Sequence, residues 1–104
     1  MYERLKETVD KTARKIELEP SQIFEEALDF NFLVSSNGEL IGGVILLTVG
    51  SPWISVDVTS QYVVGEISDY EYKVEISEKS FKTLYDILQQ YYDIRIVLGK
   101  WFSP

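Results

Sequence analysis

The chain has no cysteine and no histidine among its 104 residues. The first absence excludes a disulfide framework, a thiol nucleophile and a cysteine-type zinc site. The second removes the commonest general base, the usual imidazole metal ligand and the side chain that titrates near neutrality. Positive charge is also scarce: ten bases stand against seventeen acids, a formal net charge of −7. Long hydrophobic runs are missing too. The longest nearly uncharged apolar stretch, 40–49, falls far short of the roughly 20 residues a membrane span needs, and Gly42-Gly43 interrupts it. Residues 1–10 are mostly polar and lack the apolar region of a signal peptide. These absences lead to the expectation of a soluble, cytoplasmic protein with no membrane partner.

Catalysis would have to rely on carboxylates, Ser, Thr, Tyr or Lys. The sequence has no G-x-S-x-G elbow, no Ser-x-x-Lys and no glycine-rich nucleotide fingerprint. Asp57 and Glu66 are a candidate carboxylate pair across a hairpin, of the kind that cleaves glycosides. Asp69 and Glu71 lack the oxygen-ligand spacing of a calcium loop. The expectation is a protein that is not an enzyme and carries neither cofactor nor metal, with a carboxylate-dependent enzyme as the minority alternative.

The charge present is unevenly spread. Residues 1–16 hold five bases and three acids, and residues 79–104 hold four bases and two acids. Between them, residues 17–78 hold twelve acids and only Lys73. A block of −11 repels nucleic acid and attracts basic surfaces. The plainer alternative is a solvated surface that aids solubility.

With 45% hydrophobic and 26% charged residues, the length favours one globular domain over 1–104. Leu5, Val9, Ala13 and Ile16 recur at helical spacing, so residues 2–16 predict an amphipathic helix. Pro20 ends it. Ser21 then caps a short second helix, Gln22–Leu28, with Ile23, Phe24, Ala27 and Leu28 inward and Glu25 and Glu26 outward. That second helix lacks the basic surround of a DNA reader. From Phe30 the period becomes two. Strands are predicted at 30–36, 40–49, 53–58, 62–68 and 70–76. Asn37-Gly38 predicts a type I′ hairpin turn. The apolar run 40–49 predicts a strand buried on both faces. Its Gly42-Gly43 pair reads as a bulge or a close backbone approach; no lysine-serine pair follows to make it a phosphate cradle. Ser77 is a good N-cap for a helix through Gln90, with Phe81, Leu84, Tyr85, Leu88 and Tyr91 or Tyr92 facing inward. Ile94–Leu98 reads as a last strand.

The predicted fold class is α+β: two N-terminal helices, an antiparallel sheet of about five to six strands, and one long helix before the last strand. Strand alternation places Trp53, Ser55, Asp57, Tyr62, Glu66, Glu71 and Glu75 on one outer sheet face. Aromatics anchor and charges steer protein–protein contacts. The candidate partner-binding residues are therefore Trp53, Asp57, Tyr62, Glu66, Asp69, Glu71, Glu75 and Trp101. A competing reading packs Trp53 and Tyr62 beneath the N-terminal helices, and for Trp53 that reading is preferred. Trp101 and Phe102 are candidates for a tail anchor or a homodimer contact.

The segment Leu46-Leu47-Thr48-Val49-Gly50-Ser51-Pro52-Trp53-Ile54-Ser55-Val56-Asp57, followed by Val64-Gly65 and the helix 77–92, is similar to small acidic proteins carried by bacterial phages and mobile elements. Here Ser51 replaces the second glycine of their Gly-Gly-Pro turn, and Ile67 stands where an aromatic is common. The resemblance implies an accessory protein that blocks host nucleic-acid-binding machinery, CRISPR nucleases included; it assigns no site residue. The expected function is a non-catalytic acidic inhibitor of the anti-CRISPR kind. It would bind a basic, nucleic-acid-handling host protein such as a nuclease, by nucleic-acid mimicry or groove occlusion, without touching nucleic acid itself. The alternative is a toxin immunity-type or general interaction protein without mimicry.

Overall fold

The computed structural model describes residues 2–48 and 50–102, with side chains described through Ile96. Helix α1 (Tyr2–Leu18) is followed by a 3₁₀ turn (Pro20–Gln22) and the short helix α2 (Ile23–Glu26). Five strands follow: β1 (Asp29–Val34), β2 (Leu40–Leu46), β3 (Trp53–Asp57), β4 (Tyr62–Ile67) and β5 (Tyr70–Glu75). Helix α3 (Glu78–Phe102) ends the described chain. The strands form one antiparallel meander in the order β1-β2-β3-β4-β5.

The stripe expected on α1 is the stripe observed: Leu5, Val9, Ala13 and Ile16 are all buried. It lies over β4 and β5. Gly65 lets it come close, because a Cβ there would meet the Val9 methyl and would lie 2.8 Å from Leu5 Cδ1 and 3.2 Å from Ile54 Cδ1. The Tyr72 hydroxyl donates to Asp10 at 2.9 Å and ties β5 to the helix. Asp10, by accepting that bond, raises the tyrosine's pKa.

Helix α3 covers the β1–β2 side of the same face. The Ser77 hydroxyl accepts the Ser80 N–H at 3.2 Å, so Ser77 is the N-cap as expected. Leu84 and Leu88 are fully buried. A Cβ at Gly43 would collide with the Asn31 carbonyl and lie 3.1 Å from Leu88 Cδ2. Farther along, the Tyr85 and Tyr92 hydroxyls donate to the Leu40 and Gly38 carbonyls, both at 2.7 Å.

Several expectations are corrected. The long helix does not stop for a last strand: Ile94–Leu98 is helical, and α3 follows the sheet. A strand there would have to leave the helix and find an open edge. Continuing the helix adds a hydrogen bond per residue without new nucleation, and the Tyr92 contact and Arg95 over the Phe32 ring (5.6 Å) hold that stretch in place. Asn37-Gly38 does not form a type I′ turn. The Gly38 N–H donates to the Ser35 carbonyl, and Gly38 alone of the pair has positive φ (+87°). This makes a longer loop whose Ser35 N–H bonds to the Glu39 carbonyl. The second helix is shorter than 22–28, and Leu28 points to solvent (60% exposed), because Ala27 has already turned extended. Strand β2 ends at Leu46 and is not buried throughout both faces: Gly43 and Ile45 face the helices, whereas on the other side Gly42 is buried under Thr59 and Val44 and Leu46 are half-buried. The bulge expected in this run lies at Ile41, where the register to β1 shifts.

Two outcomes test this packing. Gly65→Ala should lower unfolding free energy by about 1–3 kcal/mol, since α1 must shift or repack; an unchanged urea midpoint would contradict the close contact. The second concerns Glu17, whose carboxylate accepts the Ser77 hydroxyl (2.9 Å) and N–H (3.2 Å). Its pKa is held below the usual glutamate range, by the Ser80 hydroxyl first and then by Ser77. Stability from this group is full above the unfolded pKa of about 4.3 and is lost as pH falls through the lower folded value. Glu17→Gln should therefore flatten the acid limb of Tm against pH; parallel limbs would count against it.

Candidate functional site

The three described helices sit on one side of the sheet, and among the described residues no helix covers the other face. Cross-strand pairing orders it into rows. One row runs Asn31, Val44, Asp57, Tyr62, Glu75. The next runs Asp29, Leu46, Ser55, Val64, Lys73. A third holds Trp53, Glu66 and Glu71. Leu33 beside Gly42 completes the face at its far end.

Residues expected to share an outer face do share it: Trp53, Ser55, Asp57, Tyr62, Glu66, Glu71 and Glu75. The reading that preferred to pack Trp53 beneath the N-terminal helices is overturned for both Trp53 and Tyr62. Alternation from Ile54 and Val63, which face the helices, forces their neighbours outward, and Trp53 is 47% exposed. Asp69 lies instead in the tight β4–β5 turn, where Ser68 takes positive φ (+52°). The Trp101 side chain lies outside the described residues.

The open face carries five carboxylates (Asp29, Asp57, Glu66, Glu71, Glu75) and one amine, Lys73. Glu66 and Glu71 are direct cross-strand partners, an arrangement that disfavours folding because like charges oppose each other. Lys73 relieves part of it: its Nζ lies 3.4 Å from Glu71 Oε1 and 5.7 Å from the Tyr62 ring centroid. Both charges are half-exposed, so this pair contributes little to stability. Helix α1, on the opposite side, has five bases against four acids. Charge of mixed sign on α1 thus contrasts with nearly uniform negative charge on the uncovered face.

The carboxylate pair imagined for glycoside cleavage does not form. Asp57 lies opposite Tyr62 and Glu66 opposite Trp53, four residues apart along β3, or roughly 13 Å. Such pairs sit about 5–9.5 Å apart in glycosidases. Glu66 and Glu71 are adjacent but stand exposed on the open sheet. Among the described residues no three acidic side chains converge as a metal cluster, and no helix is long and apolar enough to cross a membrane.

Sequence reasoning missed Asp29, Asn31, Leu33, Val44 and Leu46 as members of this face. The missing signal was the pairing of β1 and β2 with β3, which sets these residues beside Ser55 and Asp57. Comparisons with protein-family models, with curated proteins and with solved structures find no match to the chain.

If Trp53 is a surface residue, Trp53→Ala should change unfolding free energy by less than about 1 kcal/mol. Leu88→Ala, on the helix side, should cost about 2–5 kcal/mol. Urea titration of both variants checks this; a Trp53 cost matching that of Leu88 would put the indole in the core.

Proposed function

We propose that the protein is a non-catalytic inhibitor that binds a basic, nucleic-acid-handling host protein through the open face of its sheet. The setting is that of an anti-CRISPR or related phage protein. One observation carries the reading: an uncovered sheet face with five carboxylates, one amine, and Trp53 and Tyr62 set among them. Folding alone does not favour such a face. Opposed Glu66 and Glu71 repel, and an exposed indole gains nothing from burial. Both features become favourable against a basic surface, where the cations neutralise the repulsion and the rings supply anchoring area.

Asp57 and Glu75 on one side, and Glu66 and Glu71 on the other, flank the row that holds Ser55, Val64 and Lys73, which carries Asp29 at its far end. Two acidic rows roughly 13 Å apart suit occlusion of a broad basic groove better than imitation of one continuous phosphate chain. Either mode predicts competition with nucleic acid for the partner.

The test is capture of the host nuclease on the immobilised protein at about 50 mM and about 300 mM salt. Replacing Glu66, Glu71 and Glu75 together by Lys should weaken binding by more than about tenfold and leave the melting curve cooperative. Added DNA or RNA should displace the partner. Binding that survives the triple replacement, or that nucleic acid does not displace, would end this reading.

A further inference from the structure

Among the described residues the open face carries a concavity, and one of its walls, Thr59, rests on Gly42. At Gly42 a Cβ would collide with the Thr59 hydroxyl and lie 3.0 Å from Thr59 Cα. With hydrogen there instead, Thr59 leans over the strand and a hollow of about 400 Å³ opens beside it. Its walls include Leu33 from β1, Val44 from β2, and Asp57 and Thr59 from the end of β3. Asn31 stands on the far side of Val44 from Asp57, in the same cross-strand row.

The chemistry of the lining is specific. Leu33 and Val44 are apolar, and Leu33 is 47% exposed with no helix above it. Asp57 is half-buried, and its Oδ1 accepts the Ser60 N–H at 3.1 Å. That bond steadies the carboxylate and leaves its second oxygen for a donor from outside. Asn31 adds a polar amide to the lining. A ligand filling this hollow needs an apolar stem several atoms long and a flat cationic head with several donors. Arginine fits on each count. Its methylenes pack on apolar surface while its charged head stays at the rim. Its guanidinium is planar and weakly hydrated, and presents donors in a fork that matches a carboxylate. A lysine ammonium is a strongly hydrated point charge that cannot match a carboxylate with two parallel donors.

We propose that the hollow beside Gly42 is an arginine-binding subsite. The basic partner inserts one arginine side chain, its methylenes against Leu33 and Val44 and its guanidinium on Asp57. This rests on the reading of the open face as a docking surface for a basic protein, and it names the side chain that surface selects.

The test uses N-acetyl-arginine methylamide as the probe, and its neutral isostere N-acetyl-citrulline methylamide as control. Each is titrated into the full chain and followed by NMR. Saturable shifts at the Leu33 and Val44 methyls and the Asp57 and Thr59 amides are expected with arginine in the millimolar range, and no saturation with citrulline. Asp57→Asn, which keeps an oxygen for the Ser60 N–H, should weaken arginine binding about fivefold or more. Leu33→Ala, at an exposed position, should weaken it without touching the charge. Shifts that centre on Glu66 and Glu71, that persist unchanged in both variants, or that citrulline reproduces would overturn the subsite. The two readings fail separately. If arginine does not seat, yet partner capture is still abolished by the triple lysine variant, only the subsite is wrong. If arginine seats but the triple variant still captures the partner, the subsite stands and the broader docking surface falls.

Discussion

Two helices press onto the same face of a five-stranded meander, and every other property of the molecule follows from that one-sided contact. It is close because Gly65 admits Leu5 and Val9, and because Gly43 admits Leu88. The core of Ile45, Ile54, Val56 and Val63 sits between sheet and helices. The short α2 adds Ile23 and Phe24 at one end, and its Phe24 ring stacks with Tyr91 at 5.6 Å. With α1 and α3 both spent on one side, no described helix remains for the other. The second face is therefore a surface by construction, and its residues answer to something other than the core.

That constraint explains why charge and aromatics are distributed as they are. On α1 and α3 the polar residues alternate in sign and fall on exposed helix sides. On the open face the sign is nearly uniform, and tryptophan, tyrosine and leucine stand among the acids. A face needing only solubility would mix charges and avoid a half-exposed indole. This one opposes Glu66 to Glu71 and leaves Trp53 in solvent.

Much of this was legible in the sequence wherever a local pattern matched a local cause. The 3.6-residue stripe of α1, the alternation of β3 to β5 and the Ser77 cap each follow from a few neighbouring residues. The short second helix and the Ser35–Glu39 loop depart from the pattern for local reasons, whereas the larger failures involve contacts distant in sequence. Ile94–Leu98 has the β-branched composition of a strand, but Tyr92 bonds to Gly38, 54 residues away, and the helix continues. The run 40–49 reads as doubly buried because it is apolar throughout. Its outward residues Val44 and Leu46 lie on the open face and are half-buried there. The Gly42-Gly43 pair suits a bulge or a close approach equally well in the sequence; the structure has the close approach at Gly42, from Thr59, and the bulge at Ile41. Hence Trp53, Tyr62 and the acids of β3 to β5 were placeable by alternation; alternation also sets Asn31 and Leu33 on the side opposite Phe30 and Phe32, but that their side joins the open face follows only from the β1–β2 pairing.

The central claim is that the open sheet face, and not the helical side, is the working surface. Carbodiimide labelling of carboxylates, read by mass spectrometry on the free protein and on its complex with the captured host protein, tests it most directly. The account predicts that Asp57, Glu66, Glu71 and Glu75 lose labelling in the complex while Glu3 and Glu7 on α1 keep theirs. Protection of the α1 acids, with the sheet carboxylates labelled as in the free protein, would contradict it.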